Sequence, residues 1–209
     1  MNKYIKYLLL IVVMGLVAYK SVYVKKLSEM QIGADEKFDA VAFSKKLWDE
    51  KLPVKLDSAI GLTTLITLTG TYFGDLSSKY TNALAIGNYR YALIKAEGIV
   101  SDINEDDITM QIKLDDSLMT VRLATEFIYG NAIRDASGLV DVKDFSNTMD
   151  LNNISEELNK IVRKTVLPSF KTIVKKGDKV LVTGAIEMHK EHIKWNELEI
   201  IPVRLQIIQ

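Results

Sequence analysis

Three successive segments of period-two alternation after residue 89, a helix-bearing insert behind them and two further alternating segments predict a mainly β fold with helices, an α+β chain. That order, with a long first strand able to bend at Gly98 and a helix between the third and fourth strands, predicts a five-stranded Greek-key barrel of the OB type. A looser β-sandwich with helices packed at one end is the alternative the same elements allow. The barrel is expected over 89–209. A helical segment at 38–88 and a transmembrane helix at the N-terminus precede it.

The elements follow in chain order. Residues 1–26 hold Lys3, Lys6, Lys20, Lys25 and Lys26 and no acid, so the rest of the chain carries a formal charge of −5. Residues 7–19 are uncharged. As a helix they span roughly 20 Å, short of the roughly 30 Å hydrocarbon core. Extended over residues 4–24 the segment reaches that length, with Lys6 and Lys20 snorkelling and Tyr4, Tyr19 and Tyr23 at the interfaces. No small-x-small triplet follows the apolar run, which favours a retained anchor over a cleaved signal peptide. A buried core helix is the remaining alternative, and the lysine flanks oppose it. Lysines stand on both sides, so their count does not orient the helix. A signal-like segment leaves its N-terminus in the cytoplasm. The expected organisation is therefore an anchor at 1–26, a polar connector at 27–37 and a domain at 38–209. The chain would cross the bacterial cytoplasmic membrane once and present that domain to the periplasm or the extracellular side.

Residues 38–51 read as an amphipathic helix with Asp39 as N-cap and an apolar face of Val41, Phe43, Leu47 and Trp48, interrupted by Pro53. Residues 58–70 fit a helix or a buried strand. Residues 72–79 add a helical turn. Residues 89–103 form one long strand in which Gly98 permits a bend or bulge. After a turn at 104–107, Ile108, Met110, Ile112 and Leu114 alternate with polar residues, and Met119, Val121 and Leu123 repeat the pattern. Residues 127–150 read as irregular. A helix follows at 153–164, with Asn153 and Glu156 in capping-box spacing and Pro168 separating it from a short segment. Residues 179–188 are a strand, 189–192 a turn and 193–208 the last strand or pair of strands, with Pro202 at an edge or break.

Composition removes whole classes of chemistry. The chain has 209 residues, 27 Lys and Arg against 27 Asp and Glu, no cysteine and two histidines. Disulfides, thiol catalysis, Cys-zinc sites and lipid attachment to cysteine are excluded within it. His189 and His192 fall on a hairpin tip without a third ligand fixed by spacing, so no metal is expected. Asn104-Glu105-Asp106-Asp107 lacks the glycine and distal glutamate of a calcium loop. Ser137 lies outside any G-x-S-x-G elbow, and no glycine-rich phosphate cradle is present. Tyr89, Tyr91 and Trp195 lack the basic cluster that a single-stranded nucleic-acid groove uses, so no nucleic-acid partner is expected. No cofactor is implied. The polar residues that stand out lie in the insert: Arg134 and Asp135 between Gly130 and Gly138, and Asn147. These three are the candidates for contact with a ligand or partner.

Five stretches carry a resemblance: FDAVAFSKKLWDEKLP (38–53), EGIV (97–100), GNAIRDASGLV (130–140), DFSNT (144–148) and PVRL (202–205). Their order and spacing resemble an uncharacterised bacterial family of predicted periplasmic lipoproteins, commonly encoded beside ABC-type sugar transporters. The resemblance implies a membrane-tethered, extracytoplasmic domain and no established activity. Members typically carry a lipobox cysteine, and this chain has none. A retained helix at 4–24 would serve the same physical purpose. The expected function is a non-enzymatic accessory or binding module of an ABC-type sugar transport system, contacting transporter subunits or a solute-binding protein. The alternatives are a small-molecule-binding or sensing domain without a protein partner, and, behind it, an extracytoplasmic hydrolase.

Overall fold

The computed structural model describes residues 3–7, 14, 38–69, 79–84, 87–191 and 193–208. It divides into two units, Met1–Phe38 and Asp39–Gln209. In the first, residues 3–7 and Met14 are helical and exposed. Most of the expected anchor at 4–24, and all of the connector at 27–37, lie outside the described residues. Among the described residues no helix is long and apolar enough to cross a membrane.

The second unit begins with helix α1 (Ala40–Lys46). Asp39 caps it, its carboxylate accepting from the Ala42 N–H at 2.9 Å. Its buried face differs from the expected one: Val41 is 57% exposed, while Ser44 is fully buried and donates to the Ile154 carbonyl. Pro53 interrupts the helix, as expected, without stopping it. A proline lacks a donor and crowds the carbonyl four residues back. The chain answers by widening one turn at Leu47–Lys51, where the Leu52 N–H reaches the Leu47 carbonyl, and continues as α2 (Leu52–Asp57). The ambiguous segment resolves into both of its readings, a two-residue strand β1 (Ile60–Gly61) and then helix α3 (Leu62–Thr69). Most of the helical turn expected at 72–79 lies outside the described residues.

The long strand is β2 (Tyr89–Ile103), followed by β3 (Asp107–Leu114) and β4 (Ser117–Ala124). Asn104 closes the turn between β2 and β3 by donating from Nδ2 to Asp107 Oδ1 at 2.7 Å. The insert is more regular than expected. It holds α4 (Ala132–Ser137), a 3₁₀ turn at Val142–Asp144 and α5 (Thr148–Ile161). A second widened turn at Val162–Val166 leads into α6 (Leu167–Ile173), so Pro168, like Pro53, is absorbed rather than terminating. Strand β5 (Lys179–His189), a 3₁₀ turn at Trp195–Glu197 and strand β6 (Glu199–Ile208) complete the unit.

The sheet has six strands rather than the five expected, in the order β1-β2-β3-β4-β6-β5, and β2 closes it by pairing with β5. Five strands make the barrel. The sixth, β1, lies parallel to β2 at Ile60↔Ile94. Its role follows from how β2 changes partner. Tyr89 to Ile99 pair with β5, and β3 joins only from Ile99 onward. The other edge of the first half of β2 would be open; β1 and an isolated bridge from Asn82 to Tyr91 cover part of it. Gly98 sits where β3 arrives. A Cβ there would stand 2.7 Å from the Gln111 carbonyl oxygen, so the close crossing requires glycine. Pro202 falls at the expected break: β6 pairs with β4 only at Glu199 and Ile200, and Pro202 lies at a register shift opposite Gly184 of β5.

Alternate residues of the strands fill the interior. Ala92, Ile94, Ala96 and Val100 of β2 meet Ile108, Met110 and Ile112 of β3, Val121 and Leu123 of β4, and Val180, Val182 and Ile186 of β5 in one apolar cluster. Each large member contributes about 1.5–3 kcal/mol by leaving water. The outer face is covered too. Helix α4 packs on β2, β5 and α5, and α5 packs on α1. That is why Leu93, Thr183 and Ala185, on the opposite face from the core set, are also buried.

Candidate functional site

On the outer wall, β2 and β5 place Tyr91 opposite Glu187 and Leu93 opposite Ala185. Burial first, then the facing Glu187 carboxylate and the nearby Asp135 carboxylate, hold the Tyr91 phenol well above its ordinary value, while Arg134 opposes them. Helix α4 supplies Arg134 and Asp135 beside this pair. The insert was expected to hold them on a glycine-flanked loop. Instead they occupy a helix, and both are nearly sealed, with side chains 3% and 4% exposed. The glycines are a helix boundary: Gly138 takes φ +61° as the left-handed cap that ends α4.

The two charges satisfy each other and brace the layer. Arg134 Nε donates to Asp135 Oδ1 at 2.7 Å, and Nη1 donates to the Leu151 carbonyl of α5 at 2.8 Å. Ser137 donates back to the Arg134 carbonyl at 2.6 Å. Asn147 is elsewhere. It caps α5, accepting from the Asp150 N–H at 2.9 Å. The helix therefore starts at Thr148, not at the Asn153 box, and Asn153 is an exposed mid-helix residue.

Two recesses open on this wall. The smaller, ≈ 290 Å³, is lined by Leu84, Tyr89, Tyr91, Asn131, Arg134 and Asp135. The larger, ≈ 390 Å³, is lined by Arg122, Tyr129, Asn131, Glu187, Lys194 and Glu199 among others. Asn131 belongs to both, and the cross-strand partners Tyr91 and Glu187 stand one on each. Thus Arg134 and Asp135 share a recess, and Asn147 lines neither.

Residues 128–131, which carry the shared Asn131, are held from α5 and the widened turn that follows it. Ser155 donates to Asn131 Oδ1 at 3.1 Å, Asn159 to the Gly130 carbonyl at 2.9 Å, and Arg163 to the Ile128 carbonyl. These residues are spaced by four, so they form one polar stripe beside the apolar stripe of Leu151, Ile154 and Leu158. Arg163 also pairs with Glu156 and lies 5.4 Å from the Tyr129 ring centroid, presenting that ring, 61% exposed, at the larger recess. Sequence reasoning passed over Asn131, Tyr129, Glu187 and the stripe. The spacing at 155, 159 and 163 was the available signal. Among the described residues no group of three His, Asp or Glu is placed to hold a metal. His189 ends β5 with its ring edge-to-face on Tyr89. Trp195 packs against the barrel core.

A family model described as Predicted periplasmic lipoprotein (DUF2291) matches residues 12–206. The chain belongs to that family. The expected resemblance is thereby met, and the family's description is one of periplasmic, membrane-associated proteins without an assigned activity. No curated protein matches the chain. Among solved structures, it is similar to an OB-fold protein from Thermotoga maritima at 26% identity and a TM-score of 0.71, covering 83% of this chain and 100% of that one. The OB-type barrel is thus found in a solved relative of similar extent. A chain of the Stn1–Ten1 complex of S. pombe aligns over 56% of this chain and 58% of its own, at 12% identity and a TM-score of 0.28, a likeness that carries no argument. The family's lipoprotein character meets a chain with no cysteine to bear a lipid.

Proposed function

We propose that this family member is a membrane-tethered extracytoplasmic binding module, not an enzyme, that serves an ABC-type sugar transport system by contacting a transporter subunit or its solute-binding protein. Residues 4–24 would supply the tether as a single transmembrane helix in place of a lipid. One observation carries the reading: the recesses are preformed and braced, and a charge pair at each of them is tied together. Arg134 is fixed to Asp135 and Leu151, and Lys194 to Glu197. Such an arrangement holds a shape for a partner. The transporter link follows the gene-neighbour association that family resemblance implies.

In-cell crosslinking of the tagged full chain, followed by membrane extraction and mass spectrometry, tests this. Transporter subunits or a solute-binding protein recovered above an anchor-only control are the expected result. Recovery of the chain alone from an intact membrane fraction overturns it. Direct recognition of a small solute is the second reading. The recess volumes favour it, since ≈ 290 and ≈ 390 Å³ lie at the lower end of small-ligand sites. Since apolar side chains occupy the barrel interior, this reading looks to the outer wall for the site.

A further inference from the structure

The recess beside α4 combines a buried charge pair with polar atoms that the protein leaves unused. Arg134 engages Asp135 through Nε and Leu151 through Nη1, and Asp135 engages Arg134 through Oδ1. Arg134 Nη2 and Asp135 Oδ2 stand outside these bonds. Neither is sealed from solvent: among the described residues the one buried side-chain polar atom without a partner is Thr125 Oγ1. Both atoms therefore open on the recess that the two residues line. The recess thus offers a donor and an acceptor from side chains more than nine-tenths buried. Tyr91 adds a hydroxyl that can accept as well as donate. Asn131 adds a second donor, because Ser155 occupies its Oδ1 and leaves Nδ2 for the recess. The Tyr89 ring, 51% exposed, supplies an apolar wall.

We propose that this recess binds a small neutral polyol, a solute whose neighbouring hydroxyl groups each donate and accept. Three features select that class. The acceptors and donors alternate in kind, which matches hydroxyls, since each has one proton and two lone pairs. The Arg134 and Asp135 charges cancel, so the recess carries no net charge to offset the desolvation of an ionic ligand. The tyrosine ring meets the C–H face that a polyol presents between its hydroxyls. The proposal rests on the second functional reading and names its ligand class.

Isothermal titration calorimetry on the full chain in a sugar-free detergent tests it. The probes are D-glucose, D-ribose and myo-inositol, with glucose 6-phosphate and glucosamine as charged counterparts. Saturable binding of at least one neutral probe is expected below about 10 mM, with the charged counterparts weaker. Tyr91→Phe and Tyr89→Ala should each weaken it about tenfold, and Leu118→Ala, on β4, should leave it unchanged. Asp135→Asn should abolish binding. Because it also breaks the buried ion pair, the two tyrosine variants decide the case. Binding of the charged probes alone overturns the ligand class while leaving the recess a solute site. Neutral binding that survives both tyrosine variants overturns the location. Silence across the panel overturns both the class and the solute reading beneath it.

Discussion

The barrel interior and the helical layer on its outer wall both bury side chains, but different forces hold them. The interior cluster consists of apolar side chains throughout. The layer buries Ser44, Arg134, Asp135, Ser137, Ser155 and Asn159 together with its leucines and isoleucines. Apolar contact is non-directional and tolerates small shifts. Buried polar groups demand particular partners, and here those partners are backbone carbonyls on other elements: Ile154 for Ser44, Leu151 for Arg134, Gly130 for Asn159. The barrel gives the molecule its stability, and the polar layer fixes where each helix and the 128–131 rim must stand.

The sharpest test of this contrast removes one charge. Arg134→Met leaves Asp135 buried and unpaired, and should lower stability by about 3–5 kcal/mol in urea denaturation. Arg134→Met with Asp135→Leu should recover much of that loss. A double variant as unstable as the single one would show that the bond to Leu151, rather than charge balance, holds the layer. The barrel wall should yield less freely to volume than to polarity. In Gly184→Ala the new Cβ would meet the Ile201 carbonyl oxygen at 2.5 Å, and a loss of about 1–3 kcal/mol is expected from thermal or chemical unfolding. Asn147→Ala removes the α5 cap and should cost about 1 kcal/mol by the same measurement, with solute or partner binding intact.

Alkali offers a subtler comparison. Tyr91 is held above its unfolded value of about 10, so its contribution to stability is complete below that pH and is lost as pH rises toward the folded value. Tyrosinate absorbance should show a late-titrating phenol that Tyr91→Phe deletes. The smallest effect belongs to the surface. Lys45 and Asp49 form an exposed pair four residues apart on the first helix, and Lys45→Ala should change stability by no more than about 0.5 kcal/mol.

The same contrast explains what could be read from the chain. Alternation along residues 108–114 and 119–123 exposed one face of each strand to the core and the other to water, so strands and interior were legible together. The rule failed at Leu93 and at Thr183 to Ala185, where a helix covers the second face. The layer was legible only in part. Arg134 and Asp135 stood out as charges between glycines, but their burial depends on α5, and the Arg134 bond reaches a carbonyl 17 residues away. The pairing of Tyr91 with Glu187 needs the register of two strands separated by the whole insert. No local pattern supplies it. Asn147 was noticed for its polarity and proved to be a cap, because the helix began earlier than its capping-box spacing suggested.

The widened turns before Pro53 and Pro168 also change the angular phase of their helices. Residues five apart on an ordinary helix point about 140° away from each other. Yet Leu47 and Leu52 are both buried, and so are Val162 and Leu167. In each case the extra residue lets the N–H of the second leucine reach the carbonyl at the other end of the interval. It brings both side chains back to one side. Each helix thus carries a one-residue offset that lets a proline pass while its apolar stripe runs on unbroken. A helix wheel drawn at constant pitch would split each stripe in two.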